Sequence, residues 1–161
     1  MIKLLKVLTT DDDEKTLRMI SNEIPMEEIT SDTFHKFLDA LKATAVNAEL
    51  PEGWEPAGLA AIQVGVPKAV FISLDIDTGE FTEYINPKIK VIGDKQSSDL
   101  EGCLSLPGVT GYVKRPKKIK VTYLDRYGKS HTQRLSGFNS KIVQHEYDHL
   151  IGILFTDKLA K

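Results

Sequence analysis

At 161 residues, with 21 basic and 23 acidic side chains and a formal net charge of −2, the chain has room for one domain spanning 1–161 but not for two. So balanced a charge supplies no basic field able to hold phosphate backbones, which excludes nucleic acid as an expected direct ligand. Cys103 is the only cysteine, so no internal disulfide can form, and a lone thiol predicts a reducing, cytoplasmic setting.

The opening "MIKLLKVLTTDDDEKT" is too short in its apolar part for a signal peptide and too acidic for an organellar transit peptide. No apolar run anywhere is long enough to predict a membrane span. The first strong element is a helix. Phe34, Phe37, Leu38, Leu41 and Ala45 recur at the helical period, Thr30, Ser31 and Asp32 offer N-cap oxygens, and Pro51 and Gly53 predict an end near Leu50. His35 falls off the apolar stripe and reads as an exposed surface residue. Residues 51–67, "PEGWEPAGLAAIQVGVP", mix three prolines and three glycines with apolar side chains. That composition predicts an ordered loop with close backbone approaches.

Strand-like segments follow: "AVFISLDI" as a buried strand, "DTG" as a turn, "FTEYIN" stopped by Pro87, and "KIKVI" with clean alternation. A polar loop, "GDKQSSD", leads to "LEGCLSLPGV" and then "KIKVTYL". The lysines from Lys114 to Lys120 interleave with an alternating apolar set and read as a solvated sheet face. "DRYGK" is a turn, and "SHTQRL" is a polar strand in which His131 reads as an exposed edge residue.

The last helix is predicted from Ser136 or Gly137 to Leu150 or Ile151, with Gly152 as its C′ residue. Phe138, Ile142, His145 and His149 share one face, while Val143, Tyr147, Leu150 and Ile151 make other faces apolar, so the helix should be buried. Histidines inside such a helix need partners. Spaced i and i+4, the imidazoles of His145 and His149 can converge on one metal ion, and Glu146 beside them can take a proton from a water on that ion. A catalytic ion of this type wants a third protein ligand and one open position. In a zinc peptidase that ligand follows the second histidine, as a glutamate in thermolysin-like enzymes or a histidine in metzincins. "LIGILFTDKLAK" contains neither, and Asp157 is its only carboxylate. Cys103, in "EGCLSLPG", is the donor-rich candidate upstream. A purely structural metal clamp is a further alternative, but it would normally need a fourth protein ligand.

Three segments, "GLAAIQVG", "EGCLSLPG" and "QHEYDHL", resemble in order and spacing the motifs of peptide deformylase, G-x-G-φ-A-A-x-Q, E-G-C-φ-S and H-E-x-D-H. The resemblance implies an α+β fold with antiparallel β-sheets packed around a C-terminal metal-binding helix. It also implies an enzyme that removes the N-formyl group from the initiator methionine of new polypeptides, with formylmethionyl peptides as its partners. It implies one divalent metal, most often ferrous iron, with zinc, nickel or cobalt as alternatives, held by Cys103, His145 and His149. Glu146 takes the role of general base and then acid, and the Gln63 amide and the Leu104 N–H that of oxyanion donors. Gly58, with Ala57 before it, lies where the backbone meets the peptide; Phe138 and Ile142 are candidates for the methionine pocket. Glu101, Arg115 and Asp148 are placed to orient the ligands.

The sequence departs from the family pattern at Pro56, where the motif has glycine, at Ala57, where a larger aliphatic residue is common, and at Ile62, where proline is frequent. Many bacterial members continue into a charged helix that docks on the ribosome. This sequence stops at Lys161 and is similar to shorter members, some of them phage-encoded. The resemblance therefore implies only transient ribosome proximity, in the cytoplasm of a bacterium or of a phage's host.

Overall fold

Alternation along the segment around Ile119 puts Ile119, Val121 and Tyr123 on one face, and all three are buried, while Lys118 and Lys120 between them are exposed. The computed structural model describes residues 2–160. Three helices come first, α1 (Thr10–Leu17), α2 (Met26–Ile29) and α3 (Asp32–Val46), followed by strands β1 (Gly58–Ala60), β2 (Val70–Leu74), β3 (Phe81–Cys103), β4 (Leu106–Leu124) and β5 (Ser130–Ser136), and then helix α4 (Gly137–Leu150). The strands form one antiparallel sheet in the order β1-β2-β3-β4-β5. The α+β class and the C-terminal helix match the sequence expectation. Among the described residues no helix is long and apolar enough to cross a membrane.

Strand β2 shows why its sequence is a continuous apolar run. Phe71 points to the face on which Val143 and Leu150 of α4 pack, with Tyr84, Ile119, Val121 and Tyr123. Val70 and Ile72 point the other way, into clusters with Phe34, Leu38, Leu41 and Ala45 of α3. Helices cover both faces there, so successive side chains are all buried. Each fully buried aliphatic side chain contributes about 1.5–3 kcal/mol.

Helix α3 starts where expected, with the Ser31 side chain accepting from the Phe34 N–H. It ends at Val46 rather than near Leu50, because Asn47 caps it: the Asn47 amide donates to the Ala43 carbonyl at 2.8 Å, satisfying one of the helix's orphan acceptors. Helix α1 carries no apolar stripe to announce it, since Leu17 is its one buried residue. A capping box between Thr9 and Asp12 starts it, and Asp11, Asp12 and Asp13 lie in its first turn, where carboxylates oppose the positive end of the helix dipole.

Pro87 does not stop a strand. β3 runs through it with a register shift between Ile85 and Lys88. Asn86 takes φ of 49° there and exchanges hydrogen bonds with the backbone of Ile24, both at 2.9 Å. A bulge relieves the following proline of any duty as a ladder donor. The polar segment 93–99 likewise lies within β3, past a second shift between Ile92 and Gln96. His35 and His131 are half-buried rather than exposed. His35 Nε2 lies 2.7 Å from the Arg126 carbonyl, and His131 Nε2 lies 2.7 Å from Asp125 Oδ2 while its ring stacks on Tyr123.

Helix α4 packs against β1, β2, β4 and β5 and leaves at Gly152, whose φ is +76°. A Cβ there would stand 2.3 Å from the Arg18 carbonyl oxygen, so the position needs glycine twice over, for its dihedral and for its space. Gly152→Ala should therefore lower stability by at least about 2 kcal/mol in urea unfolding. Gly79→Ala, at φ of +77° with no neighbouring atom within 4 Å, should cost only the dihedral penalty of about 1 kcal/mol.

Candidate active site

The tight turn Leu104–Ser105 joins β3 to β4, with Cys103 paired across it to Leu106. Gly102 lets the chain pass beneath Trp54, because a Cβ there would lie 3.2 Å from the indole ring. The turn faces α4, whose residues from Ser140 to Glu146 and from Asp148 to Leu150 are buried. Helical spacing sets the two imidazoles one turn apart, with ring centroids separated by 5.3 Å. The ligand atoms of Cys103, His145 and His149 all lie within 4.8 Å of one another.

These donors fit a metal ion. Metal–sulfur and metal–nitrogen bonds of about 2.3 and 2.0 Å at a tetrahedral angle place the two donor atoms about 3.5 Å apart. Cys103 Sγ and His149 Nε2 are separated by 3.4 Å. The His145 ring is already oriented, since its Nδ1 donates to Glu101 Oε1 at 2.8 Å, leaving the other nitrogen free to ligate.

Arg115 holds that arrangement from behind. Its side chain is 2% exposed; Nε and a terminal nitrogen form a two-pronged pair with Glu101 at 2.6 and 3.0 Å, and the other terminal nitrogen reaches Asp148 Oδ2 at 2.9 Å. Lys158 Nζ also reaches Asp148, lying 3.0 Å from Oδ2 and 3.2 Å from Oδ1. Burial alone would raise the Glu101 pKa, but hydrogen bonds from His145 and Arg115 outweigh it and hold the group down to about 2. Burial also disfavours a charged His145, yet its hydrogen bonds to Cys103 and Glu101 raise its pKa, while burial and the neighbouring His145 charge push that of His149 down.

Glu146 is 4% exposed, and burial is the main cause that pushes its pKa up to about 7. Its Oε1 has no hydrogen-bond partner among the described residues. A cation nearby would favour the charged form and draw that pKa back down. Gly58 makes room for this carboxylate: a Cβ there would stand 2.9 Å from Glu146 Oε2 and 2.7 Å from the Ile72 carbonyl oxygen. Gln63 lies in a single 3₁₀ turn, Ala61–Val64. Its Oε1 accepts from the Ala60 N–H at 2.9 Å, which aims the amide nitrogen at Ser105 Oγ, 3.1 Å away, and at Cys103 Sγ, 3.5 Å away.

A cavity of about 690 Å3 opens beside these groups. Ala57, Gly58, Gln63, Cys103, Leu104, Phe138, Ile142, His145 and Glu146 line it, whereas His149 lies behind, 1% exposed. Phe138 is 52% exposed and stands at the rim; Ile142 is buried. Sequence reading assigned no part to Ser105, Trp54, Asp99 or Lys141, although Trp54, Asp99 and Lys141 line the cavity and Ser105 touches Gln63. The one signal available for Lys141 was a charged residue at helical spacing from His145 on a helix otherwise read as apolar.

A family model described as polypeptide deformylase matches residues 4–161. A peptide deformylase of Fusobacterium nucleatum is 38% identical over 147 residues, 91% of this chain and 80% of that protein. One of Desulfitobacterium hafniense is 45% identical over 141 residues, covering 86% of this chain and 85% of the relative. Among solved structures, a class I type b peptide deformylase of Acinetobacter baumannii with Met-Ala-Ser bound superposes with a TM-score of 0.87 at 30% identity, covering 99% of this chain and 100% of that one. The enzyme of Thermotoga maritima gives 0.85 at 27% identity, with 99% of each chain covered.

Loss of the Arg115 guanidinium would leave Glu101 with the His145 ring alone and Asp148 with Lys158 alone. Arg115→Met should lower stability by about 3–5 kcal/mol, the cost of leaving buried charge uncompensated, measured by urea unfolding of the metal-free protein. A loss below about 1 kcal/mol would mean that water already screens Glu101 and Asp148.

Proposed function

The chain belongs to the polypeptide deformylase family, and from that membership we propose that the cavity between β1, the β3–β4 turn and α4 is its deformylation site, within a single catalytic domain spanning 1–161. The enzyme is a metal-dependent hydrolase that removes the N-formyl group from the initiator methionine of nascent polypeptides and releases formate. The observation carrying the site assignment is the convergence of the three donor atoms, the unpartnered Glu146 oxygen and the aimed Gln63 amide.

Cys103 Sγ and one ring nitrogen each from His145 and His149 hold the ion. When bound, it supplies Lewis acidity that polarises the formyl carbonyl and acidifies a water. Ferrous iron is the ion this reading assigns, and the same soft and imidazole donors can hold zinc, nickel or cobalt. Glu146 accepts a proton from the attacking water at Oε1 and returns it to the amine nitrogen as the C–N bond breaks, leaving formate and a free α-amine. Gln63 Nε2 and the Leu104 N–H donate to the formyl oxygen as negative charge builds on it, each lowering the barrier by about 3 kcal/mol.

β1 is an edge strand, so its outer side is open to an added peptide strand, with Gly58 and Ala57 at the point of closest approach. Ile142 and Phe138 contact the methionine side chain. The A. baumannii relative holds Met-Ala-Ser, the kind of product this reaction leaves. The partner is the formylmethionyl end of a new chain, met in transient proximity to the ribosome, and the compartment is the cytoplasm.

Two measurements test this reading. Cys103→Ala, His145→Ala and His149→Ala should each lose most of the metal in elemental analysis after anaerobic purification. Glu146→Gln should keep it while turnover falls by at least about 10²-fold. Loss of metal from Glu146→Gln would make that residue a ligand instead of a base.

Substrate class is tested separately. The acyl group of a formyl substrate ends in hydrogen, so Gln63, Leu104 and the ion can crowd its carbon, and an added methyl clashes. Formyl-Met-Ala-Ser should be hydrolysed at least about 10²-fold faster than acetyl-Met-Ala-Ser, followed by formate release and mass spectrometry. Cleavage of an internal peptide bond at a comparable rate would replace the deformylase assignment with a protease.

A further inference from the structure

Helix α4 carries a buried charge that deformylation does not use. Lys141 is 6% exposed and lies one turn before His145, on the cavity wall with Ile142 and Phe138. Its ammonium donates to the Ser97 carbonyl at 3.2 Å and pairs with the carboxylate of Asp99, itself part of the cavity lining. Those are its two partners among the described residues. An ammonium has three N–H donors, so one is left over, at a wall where an aliphatic residue would leave none.

The two halves of this side chain suit different parts of a ligand. The four-carbon stem offers the apolar contact a methionine side chain needs, and the head carries a donor beyond that stem. A hydrocarbon tip would strip water from the spare N–H without replacing it. A thioether sulfur is a weak acceptor, and a sulfoxide oxygen is a strong one. Resting on the reading of this cavity as the deformylation site, we propose that Lys141 determines side-chain specificity beside His145. It offers its free N–H to an acceptor at the tip of the first residue, so the cavity takes methionine sulfoxide alongside methionine. Asp99 is the positioning residue, holding the ammonium against β3.

The test compares formate release by the metal-loaded enzyme from three peptides: formyl-Met-Ala-Ser, formyl-norleucyl-Ala-Ser and formyl-(methionine sulfoxide)-Ala-Ser. The wild-type kcat/KM for the sulfoxide peptide should at least equal that for the norleucine peptide. In Lys141→Met the sulfoxide-to-norleucine ratio should fall at least about tenfold, since a buried sulfoxide then lacks its donor. Asp99 is 45% exposed and stays hydrated in that variant. A wild-type enzyme preferring norleucine to the sulfoxide by about tenfold or more overturns the proposal whether or not the variant folds. An unchanged ratio in Lys141→Met overturns it as well, and in either case turnover of formyl-Met-Ala-Ser leaves the deformylase reading intact. Absence of turnover on all three peptides removes that reading and the subsite with it.

Discussion

One guanidinium fixes the distance between the sheet and the last helix. Arg115, on β4, reaches Glu101 on β3 and Asp148 on α4, and Glu101 in turn holds the His145 ring. Desolvating three charges is expensive, and the arrangement is tolerable because each carboxylate is matched by a cation or a ring N–H in good geometry. Its consequence is positional. Cys103 lies two residues beyond Glu101 and His149 follows Asp148 directly, so whatever fixes Glu101 against Asp148 also fixes thiolate against imidazole.

Glu146 and Gln63 are governed by a different constraint, close approach. Strand β1 can pass over the Glu146 carboxylate only because Gly58 has no side chain, and Gln63 can aim its amide only because the turn after β1 brings the Ala60 N–H onto its oxygen. The Glu146 carboxylate thus owes its room, and the Gln63 amide its aim, to the backbone of β1 and of the turn after it. Backbone is rigid on the scale that matters to proton transfer, so the two groups need little reorganisation when a substrate arrives.

The histidine helix was legible because its information is local. His145 and His149 are four residues apart with Glu146 directly after the first, and the helix limits follow from Ser136 and Gly152. The third donor, Cys103, was found by asking what two histidines lack. The burial of the strand residues Val70, Phe71 and Ile72, and the exposure of the lysines at 114, 118 and 120, likewise follow from alternation. What sequence hid was relational. Helix α1 rests on a capping box instead of an apolar stripe. Asn86 turns a proline break into a bulge by bonding to Ile24, far away in the chain. Lys141 is a surface residue by composition and a buried one by place, since its acceptors on β3 come from the segment read as a polar loop. The early end of α3 depends on one Asn47 side chain that propensity does not single out.

The donor set is also spread along the chain in a way that bears on its assembly in time. Cys103 and His149 are 46 positions apart, and Gln63 precedes Cys103 by 40. Translation makes the cysteine well before the histidines, and a ribosome adding about 5–20 residues per second leaves it seconds without them. Until α4 has emerged and docked, the only thiol of the chain is a free sulfur with no ion to occupy it. The site therefore cannot act while the chain is being made, and comes into being only when the last helix docks.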